Sequence, residues 1–157
     1  MTVIAWDGET LAADTYCTTS DGDIIYGPKI YETPCGLYGG AGDDPAIELV
    51  RLWLMKGGTI KKRPPAFGEK VNFIGLLIDR DRDLFILDNN ILPVRYFPQK
   101  FAIGTGGKTA MALMHCGHSA AEAVQKIISD KLVDGCGGEV QTLTLKKKKG
   151  GIRKSCS

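Results

Sequence analysis

Residues 2–14 have the sequence TVIAWDGETLAAD, and this stretch decides the fold. Its first half, Val3 to Trp6, is apolar and rich in residues that favour strands. Asp7-Gly8 is a dipeptide typical of a tight hairpin turn, and the apolar run resumes after it and stops at Asp14. The pattern predicts a β-hairpin whose first strand begins almost at the N-terminus.

Strand-like and helix-like segments follow the hairpin in groups. Apolar runs bounded by glycine, proline, asparagine and aspartate predict strands at residues 24–26, 30–31, 37–42, 71–78, 84–87, 91–97, 101–103 and 140–145. Three helices are predicted, one after Asp43 and two more at 108–116 and 119–132. Grouped rather than alternating elements indicate an α+β fold with helices stacked on sheets. We expect one domain at 1–145 and a basic, solvated tail at 146–157.

Two of the helices carry clear start signals. Asp43 or Asp44 can cap the first, and Pro45 suits its first position. Apolar residues at helical spacing predict its buried face, namely Ala46, Leu49, Val50 and Trp53. The third helix starts with a capping box, in which Ser119 and Glu122 bond to each other's backbone amides.

Composition narrows the class of protein. The 157 residues are 43% apolar and 24% charged, with a formal charge of +2, which argues against nucleic acid or anionic membranes as partners. No apolar segment approaches the 18 residues that would suggest a membrane span. Five cysteines, an odd number without a Cys-x-x-Cys pair, favour free thiols in a reducing cytoplasm.

Thr2 is the first candidate for chemistry. A threonine hydroxyl is a poor nucleophile without an adjacent base. If Met1 is removed, the α-amine of Thr2 can serve as that base, because amines of this kind titrate near roughly 7.7–8.0. The sequence therefore suggests a nucleophile that carries its own base.

The same N-terminal stretch resembles the start of a mature proteasome β subunit or of the bacterial HslV-type peptidase. In that family a hairpin returns from the nucleophilic threonine to an Ala-Ala-Asp motif, which Asp14 matches. Residues 27–32, GPKIYE, resemble the segment that holds the active-site lysine, which implies that role for Lys29. Residues 37–43 resemble the strand before the first helix, where Gly42, or else Gly40, matches the glycine of the oxyanion hole.

Two later segments match the family in order. Thr105 lies at the serine position of a Gly-Ser-Gly turn, and Cys136 replaces the serine of an Asp-x-x-Ser-Gly-Gly turn. Asp134 lies one residue closer to that turn than the pattern requires. Thr15-Tyr16 follow the aspartate where many members have Ser-Arg, and tyrosine cannot make the charged contacts of arginine, so the resemblance does not define the substrate preference.

The resemblance implies an αββα sandwich, the fold of N-terminal nucleophile hydrolases, in which two antiparallel sheets lie between helix layers. It implies a threonine-type endopeptidase that acts on peptides or unfolded proteins and self-associates into stacked rings. An ATP-dependent unfoldase partner would fit such a chamber. No cofactor and no metal is expected.

Two alternatives stay open at this stage. Residues 102–109, AIGTGGKT, resemble a degenerate phosphate-binding loop, although Ala102 stands where the first glycine belongs. The chain could also be an inactive ring subunit of the same fold, with Met1 retained. His115 and His118 lack a third ligand nearby in sequence, which argues against a metal site.

Overall fold

The computed structural model describes residues 1–62, 64–66, 68, 70–89, 93–96 and 98–146. The strands among them are β1 Ile4–Trp6, β2 Thr10–Asp14, β3 Tyr16–Thr18, β4 Ile24–Tyr26, β5 Ile30–Glu32, β6 Gly36–Gly42, β7 Phe73–Asp79, β8 Leu84–Asp88, β9 Val94–Tyr96, β10 Phe101–Ile103 and β11 Val140–Thr144. The helices are α1 Asp44–Met55, α2 Gly107–His115 and α3 Ala120–Ser129. None of these helices combines the length and apolar character needed to cross a membrane.

Two antiparallel sheets form the middle of the molecule. One has the strand order β10-β1-β2-β11 and the other β5-β6-β7-β8-β9, while β3 and β4 pair as a separate hairpin. In the hairpin predicted from residues 2–14, Ile4 pairs with Ala13 and Trp6 with Leu11. The predicted hairpin is therefore confirmed, and β1 lies in the centre of its sheet.

Alternation along the strands sorts the apolar side chains into three layers. Ile4 and Trp6 point into the core between the two sheets, whereas Val3 and Ala5 pack against α2 and α3. On the other sheet, Leu77 faces α1 while its neighbours face the inter-sheet core. The order helix, sheet, sheet, helices confirms the αββα sandwich expected from the sequence.

Helix α1 differs from the sequence prediction in two details. Asp43 occupies the N-cap position, but its side chain makes no capping bond and instead accepts the backbone N–H of Asn72 at 2.9 Å. The buried face contains Ala46, Val50 and Leu54, whereas Leu49, predicted to be buried, is 44% exposed. The helix is thus rotated so that residue 54 rather than 49 enters the core.

Helix α3 has the predicted capping box at Ser119 and Glu122 but ends earlier than residue 132. Lys131 has φ +51°, and the N–H of Leu132 reaches the carbonyl of Ile127 at 3.1 Å, which is a left-handed helix stop without glycine. The strand predicted at 91–97 is seen as β9, and residues 91, 92 and 97 lie outside the described residues. The predicted tail lies outside them as well, apart from Lys146.

Candidate active site

Asp14 lies at the end of β2, directly across from the start of β1. Its backbone N–H donates to the carbonyl of Val3 at 3.3 Å, and its Oδ1 accepts the N–H of Val3 at 3.0 Å. Its Oδ2 accepts the N–H of Gly137 at 3.1 Å. The carboxylate is fully buried. The hairpin therefore fixes a buried negative charge beside the residue that follows Thr2.

Lys29 brings the matching positive charge from the other sheet. It immediately precedes β5, and its side chain is 7% exposed. Its Nζ lies 2.9 Å from Asp14 Oδ1 and donates to the carbonyl oxygen of Met1 at 3.0 Å. That carbonyl belongs to the peptide bond that contains the nitrogen of Thr2. The ammonium group is therefore held next to the Thr2 backbone nitrogen.

Thr2 is half-buried and is held through its backbone. Its carbonyl accepts the N–H of Gly106 at 3.1 Å. Gly104 has φ +87°, and a Cβ at that position would lie 2.3 Å from the same carbonyl oxygen, so only glycine allows this approach. Within the described residues the Thr2 hydroxyl makes no hydrogen bond, and it remains available to a ligand.

Two clefts meet at Thr2 and Gly42, which line both of them. One has a volume of about 280 Å³ and includes Lys29 and Tyr31, and the other has about 540 Å³ and includes Asn72. Volumes of this order are typical of sites for small ligands. The clefts leave room for a chain on either side of Thr2.

Gly42 ends β6 in a conformation that requires glycine. Its φ is +110°, and a Cβ there would lie 2.0 Å from the carbonyl oxygen of Asn72. The next residue, Asp43, is tied to Asn72 through both its backbone N–H and its carboxylate. These contacts fix the end of β6 beside Thr2, at the position where the family resemblance predicts the oxyanion hole.

The three supporting residues have different positions. Thr105 is exposed and lines the larger cleft. Cys136 is half-buried, and burial raises the pKa of its thiol, with the charge of Asp14 adding to the effect. A thiol with a raised pKa is a weak nucleophile. Asp134 is exposed on a turn, and its side chain makes no hydrogen bond within the described residues, so the structure does not bring it into the site.

Sequence reasoning missed three groups that hold the site. Gly106 and Gly137 act through backbone N–H groups, on Thr2 and Asp14 respectively. The side chain of Gln141 bonds to the backbone of Lys29 from a strand 112 residues away. Backbone donors and contacts of such long range carry no local sequence signal, so none of these roles could have been found from residue types.

The loop at 102–109 does not have the features of a phosphate site. Its strand, β10, pairs antiparallel with β1 rather than in parallel βαβ fashion. The N–H groups of Gly106 and Gly107 are used internally, by the carbonyls of Thr2 and Gly104. A phosphate-binding loop needs such groups free to face the ligand, so the geometry argues against this alternative.

No family model and no curated protein matches the chain. Solved structures do match it. BPH of Thiobacillus denitrificans, in complex with epoxomicin, aligns with a TM-score of 0.62 and 17% identity over 94% of this chain and 100% of that one. HslV from Trypanosoma brucei aligns with a TM-score of 0.62 and 14% identity over 93% of this chain and 99% of that one.

The chain has an HslV-type fold. At 14–17% identity the alignments concern the fold and leave the chemistry to be argued from the site. Both alignments cover nearly the whole of each chain, so the likeness includes both sheets and the helices around them. The αββα fold expected from the sequence resemblance is confirmed.

Proposed function

We propose that this chain is a threonine-type endopeptidase subunit whose nucleophile is Thr2. The observation that carries the proposal is the position of Lys29 Nζ, 2.9 Å from Asp14 Oδ1 and 3.0 Å from the carbonyl that is joined to the Thr2 nitrogen. An ammonium group at this position would favour the neutral form of a free Thr2 amine, which could then act as the base for the Thr2 hydroxyl. The proposal treats residues 1–145 as one domain.

Activity requires a free Thr2 amine, so Met1 or any longer extension must be removed. Met1 is 59% exposed, which leaves it accessible to a methionine-removing enzyme. Once free, the amine lies beside the ammonium group of Lys29, whose like charge favours the neutral, basic form of the amine. Asp14 keeps Lys29 charged and oriented, while the buried carboxylate is itself stabilised by its hydrogen bonds.

The reaction proceeds in two halves. The Thr2 hydroxyl oxygen attacks the scissile carbonyl carbon, and the hydroxyl proton moves to the Thr2 amine. The C–N bond then breaks, the leaving amine takes that proton, and an ester with Thr2 remains. Water attacks the ester and gives a proton to the Thr2 amine, and the proton returns to the threonine oxygen as the ester bond breaks. The products are two shorter peptides.

Gly42 is proposed to donate its N–H to the oxyanion of the tetrahedral intermediates. A donor of this kind contributes about 3–4 kcal/mol of transition-state stabilisation in comparable sites. The support is its location, since Gly42 lines both clefts at Thr2 and lies so close to Asn72 that no side chain would fit there. Substrate would extend from Thr2 into the two clefts as a peptide or an unfolded segment.

The test starts from the intact mass of the protein, which must be lower by one methionine. With Thr2 free, hydrolysis of a fluorogenic peptide should be lost in Thr2→Ala and partly kept in Thr2→Ser, because serine retains both hydroxyl and amine. A β-lactone inhibitor should add its mass to the N-terminal peptide. Undiminished hydrolysis in Thr2→Ala, or labelling of Cys17 or Cys136 instead, would contradict the proposal.

An inactive subunit of the same fold is the competing outcome of this test. It corresponds to a chain that keeps Met1 and shows neither hydrolysis nor labelling. In that form the carbonyl of Met1 would permanently accept a hydrogen bond from Lys29 Nζ. Enzymatic removal of Met1 in vitro separates two explanations: an enzyme that was only unprocessed becomes active, whereas a subunit that lacks the chemistry stays inactive.

Self-association into stacked rings is the second part of the proposal. An ATP-dependent unfoldase is the partner that would feed substrates to the closed chamber. The support is the exposed apolar surface of α1, where Leu49, Leu52 and Met55 face outward. Leu54, the neighbour of Met55 in the chain, is fully buried and takes no part in this surface. Sedimentation at micromolar concentration should give a species far above the 17.0 kDa monomer, and a monomer alone would contradict assembly.

A further inference from the structure

Gln141 connects the two sheets at the point where the charged pair forms. It lies on β11, where the preceding residue, Val140, pairs with Asp14. Its side-chain oxygen accepts the N–H of Lys29 at 2.9 Å and the N–H of Ile30 at 3.3 Å. Its side-chain nitrogen donates to the carbonyl of Ile30 at 2.7 Å. One carboxamide therefore makes three hydrogen bonds to the backbone at the start of β5.

These bonds replace a missing strand partner. Among the strands that the structure describes, β5 lies at the edge of its sheet and pairs with β6 alone. An edge strand leaves one row of N–H and C=O groups without a ladder partner. The carboxamide of Gln141 presents an acceptor and a donor side by side, as a neighbouring strand would. It thus fixes the backbone from which the Lys29 side chain extends.

Strand β11 consequently sets both ends of the ion pair. Its ladder with β2 places Asp14, and its glutamine places Lys29, so the 2.9 Å separation is defined by one strand. The ion pair alone could not do this, because the lysine side chain has a flexible four-carbon stem that tolerates shifts of its backbone. A rigid anchor at the backbone is needed to hold Nζ at a fixed place.

We propose that Gln141 is a positioning residue for the hydrolysis, which holds the Lys29 ammonium group at the Thr2 nitrogen. The inference rests on the proposed function, because it concerns the geometry of that reaction. A misplacement of about 1 Å in a catalytic constellation lowers rates by about a hundredfold. Loss of the anchor should therefore lower kcat, while KM changes little because Gln141 borders neither of the clefts at Thr2.

The pattern of bonds makes glutamine specific. Two N–H groups meet its oxygen and one carbonyl meets its nitrogen, so the reversed amide would oppose like groups. Glutamate has the same length and keeps both acceptor contacts, but it turns a carboxylate oxygen toward the carbonyl of Ile30. Methionine has a similar length and makes none of the three bonds. Gln141→Glu therefore removes one of the three hydrogen bonds, and Gln141→Met removes all three.

The experiment compares wild-type protein with Gln141→Met, Gln141→Glu and the control Gln125→Met, a glutamine exposed on α3. Each protein with a free Thr2 is assayed for kcat and KM, and backbone amide exchange is measured at Lys29 and Ile30. We expect kcat to fall about tenfold to a hundredfold in Gln141→Met, by less in Gln141→Glu and not in the control, with KM within about threefold. Exchange at both amides should accelerate in Gln141→Met.

Should Gln141→Met fail to fold, Gln141→Glu serves in its place, with a lower kcat at unchanged KM as the expected result. If the wild type is active, and Gln141→Met loses protection at both amides while its kcat stays unchanged, the positioning role is overturned. A wild type with free Thr2 that cleaves no peptide overturns the proposed function instead. In that case unchanged exchange rates in Gln141→Met would overturn the anchoring of Lys29 as well.

Discussion

Replacing Asp14 by asparagine tests the buried charge pair most directly. The substitution keeps the shape of the side chain but removes its charge. The amide oxygen can replace Oδ1 and keep the bonds from Val3 and Lys29, which leaves the amide nitrogen facing the N–H of Gly137. Lys29 then remains almost fully buried without a counter-ion, and one backbone donor loses its acceptor.

The expected loss of stability is large. Removing one partner of a buried ion pair typically costs about 3–5 kcal/mol. The unpaired N–H of Gly137 accounts for about 1–3 kcal/mol of a loss of this kind. Native domains have about 5–15 kcal/mol in all, so Asp14→Asn should be visibly weakened but still folded.

A double-mutant cycle separates the pair from its surroundings. Lys29→Met removes the cation, and in the double variant neither charge is left without its partner. We expect the losses to be less than additive, with a coupling that offsets about 1–3 kcal/mol of the summed single losses. Urea unfolding at pH 7, followed by the fluorescence of Trp6 and Trp53 at one fixed protein concentration, gives the three differences. A loss below about 1 kcal/mol in Asp14→Asn, or strictly additive losses, would refute the reasoning.

Three further predictions concern other residues. Gly42→Ala should lose about 1–3 kcal/mol or more of unfolding free energy and all hydrolysis, because the new Cβ would clash with the carbonyl of Asn72. Gly27 has open space around it, so the control Gly27→Ala should keep its stability in the same urea assay. Burial raises the pKa of the Asp79 carboxyl in the folded protein. The protonated carboxyl therefore adds to stability below pH 3.8, and this contribution is lost as the pH rises through the folded pKa. The free energy of unfolding of Asp79→Asn should therefore increase relative to that of wild type as the pH rises, and a difference that does not depend on pH would contradict this. Lys108 is exposed, and Lys108→Ala should leave hydrolysis intact. Calorimetry should detect no ATP binding in the wild type or in this variant, and tight binding that is lost in the variant would contradict the prediction.

The parts of this molecule that could be predicted from sequence are those with local signals. The hairpin at residues 2–14 is specified by apolar runs around Asp7-Gly8, and the start of α3 by a capping box, and both were confirmed. The proximity of Asp14 to the N-terminus follows from hairpin register alone. Lys29 and Gly42, by contrast, were predicted only through the family resemblance and not from a local pattern.

What could not be predicted depends on packing between distant segments. The rotation of α1, which buries Leu54 instead of Leu49, is set by the shape of the sheet beneath it. Asp134 was assigned from its place in a motif, yet the turn directs it to solvent and offers the N–H of Gly137 to Asp14 instead. Strand register and local periodicity do not predict the Gly137–Asp14 hydrogen bond, because the two residues are 123 positions apart in the chain.

The proposed catalytic role of the buried pair can be separated from a purely structural role. A buried ion pair is often replaceable by apolar residues without loss of stability, since desolvation offsets much of the attraction between the charges. Asp14 and Lys29 are buried together, and Asp14 also accepts the N–H groups of Val3 and Gly137, so stability and activity have to be measured on the same variants. If the Asp14→Asn, Lys29→Met double variant stays nearly as stable as wild type but cleaves no peptide, stability cannot explain the two charges. Their position at the Thr2 nitrogen then leaves the activation of the nucleophile as the reason for both.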